Sequence, residues 1–168
     1  MKKLKSKKGF TLIEMLVCVV TLMLISLICT TGMNMASQSY NKSMFESNSQ
    51  ALEYMLNTSI GDMLRYSKDV TVEEDDIFFT NEVYNINNGK LLVEDGYFTI
   101  LRDKDTTQKA LIVAATNYVG GMYIEGSSFT LEYDPSTKVY TGTYKIKSNL
   151  TSQERLVEFT YKSIIESI

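Results

Sequence analysis

The chain has 168 residues, 44% hydrophobic and 22% charged, enough to bury the core of one ordinary domain and too apolar for wholesale disorder. It contains no histidine, no tryptophan and one proline; without histidine, serine triads, Cys-His dyads and nearly all zinc sites are excluded. The net charge of −3 hides an asymmetry, because Lys2, Lys3, Lys5, Lys7 and Lys8 crowd the N-terminus and the remainder carries a net −8. A body of that sign repels phosphates, so no direct nucleic-acid binding is predicted.

Behind the lysines and Gly9 stands Phe10-Thr11-Leu12-Ile13-Glu14, and from Met15 to Asn41 no side chain is charged. A membrane span needs about 20 mostly apolar residues, which Phe10–Gly32 provides. Lysines ahead of the span place that end in the cytoplasm and the C-terminal body outside. Glu14 is the exception, since an acid within an apolar span costs roughly 2.5–3.5 kcal/mol. It either reaches water at the interface or has a cationic partner. No lysine or arginine within the span supplies one, whereas a cut between Gly9 and Phe10 frees an α-amine one helical turn away. Pairing that amine with a neighbouring subunit's Glu14 neutralises both charges and sets the axial stagger of adjacent helices.

The run Lys7-Lys8-Gly9-Phe10-Thr11-Leu12-Ile13-Glu14, followed by Met15-Leu16-Val17, resembles the class III signal of type IV pilins and pseudopilins. The resemblance covers about 35 residues and is specific: a basic leader, glycine before the cut, phenylalanine after it, glutamate fifth in the mature chain. It implies that a prepilin peptidase cleaves between Gly9 and Phe10 and that Phe10 is N-methylated. It further implies that Glu14 serves recruitment and assembly with other pilins or pseudopilins and with an assembly platform protein of the cytoplasmic membrane. One departure is the lack of a proline part-way along the helix, where many major pilins have one. Thr30-Thr31-Gly32 stands in that region with weak helix propensity, although a continuous helix is the expectation for the subunit.

Beyond the span, Met44, Ala51, Leu52, Met55, Leu56, Ile60, Met63 and Leu64 recur at steps of three, four and seven, the spacing of a helix packed on one side. Helix is therefore predicted from about Phe10 to Tyr66, with Gly61 a weak point. After Ser67 the period changes to two. Ile77–Thr80 and Glu82–Ile86 read as strands, with Asn87-Asn88-Gly89 as a hairpin turn into Lys90–Glu94 and Asp95-Gly96 as a second turn into Tyr97–Arg102. Further strands are expected at Ala110–Ala115, Met122–Glu125, Phe129–Tyr133, Val139–Lys147 and Leu156–Ile164, with Asp134–Lys138 a hairpin loop. Tyr97, Tyr123, Tyr133, Tyr140, Tyr144 and Tyr161 fall in these strands, where aromatics pack well. The fold class is thus α+β and type IV pilin-like, a long helix packed on a C-terminal antiparallel β-sheet. Its expected parts are a cleaved basic leader at 1–9, a membrane and assembly helix at 10–36, an amphipathic half at 37–68 and an extracellular head at 69–168.

Other short patterns carry less. Cys18 and Cys29 lie about 16 Å apart along one helix, too far to bridge, and read as small apolar residues. Ser39-Tyr40-Asn41-Lys42 has the spacing of serine acyl-transfer enzymes but lacks their companion motifs. Glu73-Glu74-Asp75-Asp76 and Asp103-Lys104-Asp105 offer oxygens to calcium without the spacing of an EF-hand, and read as solvated loops. No catalytic residue, cofactor or metal site is assigned. The leading function is a structural subunit of a type IV filament, specifically a minor pilin. A competence or type II secretion pseudopilin is the alternative, followed by a signal-anchored extracellular binding domain cut after Gly32.

Overall fold

The computed structural model describes residues 10–74, 76–105 and 107–164. They fall into two compact units, one ending at Asn41 and one beginning at Lys42, and a single helix, α1 (Leu12–Arg65), contributes to both. In the first unit every described side chain is exposed. The hydroxyls of its apolar run are nonetheless satisfied within the helix: Thr21 donates to the Val17 carbonyl at 2.7 Å, Ser26 to Leu22 at 2.8 Å, Thr30 to Ser26 at 2.9 Å and Thr31 to Ile28 at 3.0 Å. Such back-bonding removes polar groups that lipid cannot solvate. The backbone stays helical through Thr30, Thr31 and Gly32, as expected.

The second unit joins the later turns of α1 to two antiparallel sheets. The first contains β1 (Lys68–Glu73), β2 (Asp76–Asn81), β3 (Ile86–Glu94), β4 (Tyr97–Leu101) and β5 (Lys109–Leu111) in sequential order. The second contains β6 (Met122–Ile124), β7 (Thr130–Asp134), β8 (Val139–Ser148) and β9 (Glu154–Lys162). β9 lies along one edge of β8 from Val139 to Lys147, and β7 and β6 share the other.

Leu52, Leu56, Ile60 and Leu64 project from one stripe of α1 and are fully buried. Each stabilises the fold by about 1.5–3 kcal/mol. They meet Phe79, Phe98 and Ile100 of the first sheet and Tyr140, Tyr144 and Ile146 of the second. Phe98 joins the layers, with its ring edge-on to Tyr144 at 5.0 Å and to Phe129 at 5.1 Å. The expected helical stripe was too wide: Met44, Ala51 and Met55 lie on the exposed side, and Ser49 and Gly61 are buried instead. Gly61 gives no break, because the Tyr161 ring lies where its side chain would stand, 2.9 Å from an ideal Cβ.

α1 ends at Arg65 without glycine or proline, because other elements satisfy its last carbonyls. Asn81 donates its amide to the Met63 carbonyl at 2.8 Å, Ser67 its hydroxyl to Leu64 at 2.7 Å, and Ile164 its N–H to Arg65 at 2.8 Å. Further along the helix, Arg155 of β9 donates to Glu53 at 2.6 Å and the Tyr161 hydroxyl to the Asn57 carbonyl at 2.8 Å.

Several predicted strands move. Glu82–Asn85 is a turn, with Asn85 at φ 53°, and Asn87-Asn88-Gly89 lies inside β3 where the pairing with β2 shifts register. β1, where no strand was predicted, is an edge strand. Ala110–Ala115 supplies only the end of β5 and the start of a short 3₁₀ turn. Asp95 and Gly96, at φ 52° and 82°, form the expected hairpin turn. Glu73 and Asp76 face each other across the β1–β2 register and pair with Lys104 and Lys90; both are solvent-exposed, as expected, but stand at strand ends rather than in a loop, and Asp75 lies outside the described residues.

Candidate functional site

Of the predicted site residues, Phe10 and Glu14 are described, and Lys7, Lys8 and Gly9 lie outside the described residues. Phe10 and Thr11 precede α1, whose first helical residue is Leu12. Phe10 is 75% exposed, and its apolar successors Leu12 and Ile13 are 89% and 68% exposed.

The start of the helix is fixed by two side chains. Thr11 donates its backbone N–H and its hydroxyl to the same oxygen of Glu14, Oε2, both at 2.8 Å. The Glu14 N–H approaches the Thr11 hydroxyl oxygen at 3.4 Å, and the Met15 N–H donates to the Thr11 carbonyl at 3.2 Å. This is a reciprocal capping box, with threonine at the N-cap and glutamate three residues on. The acid also sits at the positive end of the helix dipole. Both bonds from Thr11 fall on Oε2, and Oε1 has no partner among the described residues.

Thr11 is the residue that sequence reading left without a role, although Thr-x-x-Glu ahead of an apolar run is itself a helix-start signal. Cys18 and Cys29 are free and exposed on the same helix.

In the second unit, strand lysines pair with acids on neighbouring strands and turns: Lys68 with Glu82 at 2.5 Å, Lys109 with Glu94 at 2.6 Å and Lys147 with Glu125 at 2.5 Å. In the β7–β8 hairpin the Ser136 and Thr137 hydroxyls and the Ser136 N–H hold the Asp134 carboxyl down at about 2. The Tyr140 and Tyr144 hydroxyls are pushed up by burial. Among the described residues no group of His, Cys, Asp and Glu is arranged to hold a metal ion.

Residues 4–32 match the family described as the prokaryotic N-terminal methylation motif. No curated protein and no solved structure matches the chain. The chain thus carries a class III N-terminal signal, and α1 is long and apolar enough to cross a membrane. With antiparallel sheets packed on its later turns, the architecture is α+β and type IV pilin-like. The motif is that of a structural subunit anchored in a membrane, processed by a prepilin peptidase.

Proposed function

We propose that this chain is a minor pilin, a structural subunit assembled into or initiating a type IV filament. The prepilin peptidase removes residues 1–9 by cutting between Gly9 and Phe10 and methylates the new Phe10 amine. The precursor spans the cytoplasmic membrane once within residues 10–36, with its head outside. On assembly, Glu14 pairs with the Phe10 amine of an adjacent subunit, other pilins pack along the N-terminal helix, and an assembly platform protein drives insertion.

The observation that carries this reading is a methylation motif at the head of an apolar helix with every described residue exposed as far as Asn41. Such a surface has to be covered, first by lipid and then by equivalent helices. Glu14 Oε1, without a partner among the described residues, suits the pairing role.

Glu14→Gln tests that role, because glutamine still accepts from Thr11 in a capping box but carries no charge. The expected result is normal removal of the leader with a several-fold loss of subunit from the sheared surface fraction. Incorporation at the normal level contradicts the pairing role.

A further inference from the structure

We propose that Thr11 is a positioning residue for leader removal: its capping box with Glu14 starts α1 at Leu12 and so keeps Phe10, the residue that follows the proposed cut, out of the helix. The inference rests on the processing step proposed above and adds a residue to it.

A peptidase must reach the carbonyl carbon of Gly9. If α1 extended one turn toward the leader, the i→i−4 pattern would tie the Gly9 carbonyl to the Ile13 N–H and the Phe10 carbonyl to the Glu14 N–H. The bond to be cut would then be buried in a helical turn. There is pressure for such an extension, since the first N–H groups of any helix lack intrahelical partners and lipid offers them none.

Thr11 and Glu14 remove that pressure at one place. The Glu14 N–H approaches the Thr11 hydroxyl rather than a carbonyl upstream, and the Thr11 N–H is taken by Glu14 Oε2 at 2.8 Å. The first backbone bond of the helix then runs from Met15 to the Thr11 carbonyl. α1 accordingly begins at Leu12, two residues past the proposed cut, and Phe10 is non-helical. Phe10 and Met15 flank the box at the positions where apolar residues commonly close it as a hydrophobic staple. Glu14 therefore acts twice, before cleavage as half of the cap and after it as the charge that meets an amine.

The test compares the full-length precursor with Thr11→Ser and Thr11→Val in detergent micelles, using a purified prepilin peptidase. Serine keeps the cap, and valine keeps the β-branched shape but loses the hydroxyl. Wild type and Thr11→Ser are expected to be cut at similar rates. For Thr11→Val, kcat/KM is expected to fall about fivefold, the factor that an N-cap of typical strength represents. The Phe10 Cα chemical shift should move toward the helical value in Thr11→Val alone. Cleavage of Thr11→Val at the wild-type rate overturns the inference. So does slow cleavage with an unchanged Phe10 shift, which would make Thr11 a direct contact of the enzyme. A wild-type precursor that is not cut at all overturns the processing step and this inference with it.

Discussion

Gly142 of β8 stands directly opposite Phe159 of β9, and the phenylalanine ring occupies the place of the missing side chain. An ideal Cβ on Gly142 would fall 2.5 Å from Phe159 Cζ and 2.6 Å from the Thr130 carbonyl oxygen. The ring can swing away, but the carbonyl belongs to the neighbouring strand and cannot. Gly142→Ala is therefore expected to destabilise the second unit by about 1–3 kcal/mol, as overpacking does elsewhere. Denaturant unfolding of the full chain in detergent measures it, and an unchanged midpoint contradicts the close packing of these three strands.

The Tyr140 hydroxyl meets Ser67 Oγ at 2.7 Å, and Ser67 in turn donates to the Leu64 carbonyl. Tyr140 thus holds the end of α1 from the sheet behind it. Tyr140→Phe removes one of the two bonds of the Ser67 hydroxyl and is expected to cost about 0.5–1.5 kcal/mol. Tyr140→Ala, which also empties a fully buried site, is expected to cost several times as much. The ratio of the two losses, read from unfolding midpoints, separates the hydrogen bond from the packing.

Alkaline pH tests the same region. Burial raises the Tyr140 and Tyr144 hydroxyls above their ordinary value, so the folded chain keeps protons that the unfolded chain releases. The stability they contribute is fully present below about pH 10 and is lost as pH rises beyond it. Tyrosinate absorbance from these two residues should therefore develop together with loss of the near-ultraviolet dichroism. Ionisation of all eleven tyrosines before any loss of structure contradicts their burial.

Acid acts on the β7–β8 hairpin. The Asp134 carboxyl is held at about 2 by the Ser136 and Thr137 hydroxyls and the Ser136 N–H. Its contribution is present above about pH 4, where the unfolded group is ionised, and disappears as pH falls toward 2. The Ser136 amide resonance is expected to titrate near the lower value and to lose that step in Asp134→Asn. A midpoint near 4 contradicts the three hydrogen bonds.

What the sequence made legible follows from how local each signal is. The span, Glu14 and the two-residue turn at Asp95-Gly96 depend on neighbours in the chain, and the structure has the apolar helix and the turn where they were expected. Asn87-Asn88-Gly89 misleads because its glycine answers a non-local demand: a Cβ on Gly89 would fall 2.1 Å from the Leu101 carbonyl oxygen on β4. Asn88 does have positive φ, at 49°, but at a register shift within β3 rather than in a hairpin. The true turn, Glu82–Asn85, carries neither glycine nor proline, and Asn85 alone supplies its left-handed residue. β1 escaped because an edge strand needs little apolar alternation, and most of its residues are exposed. On α1, Met44 and Met55 match the helical period yet face outward, since spacing alone does not fix how wide a stripe the sheets cover. At the candidate site Thr11 and Glu14 form a Thr-x-x-Glu capping box, a signal as local as the charge of Glu14 itself.

The most direct measurement is the intact mass and N-terminal sequence of the chain recovered from cells that express a prepilin peptidase. The account predicts a polypeptide that begins at N-methylated Phe10. A chain that retains Met1–Gly9, or one that begins after Gly32, contradicts it.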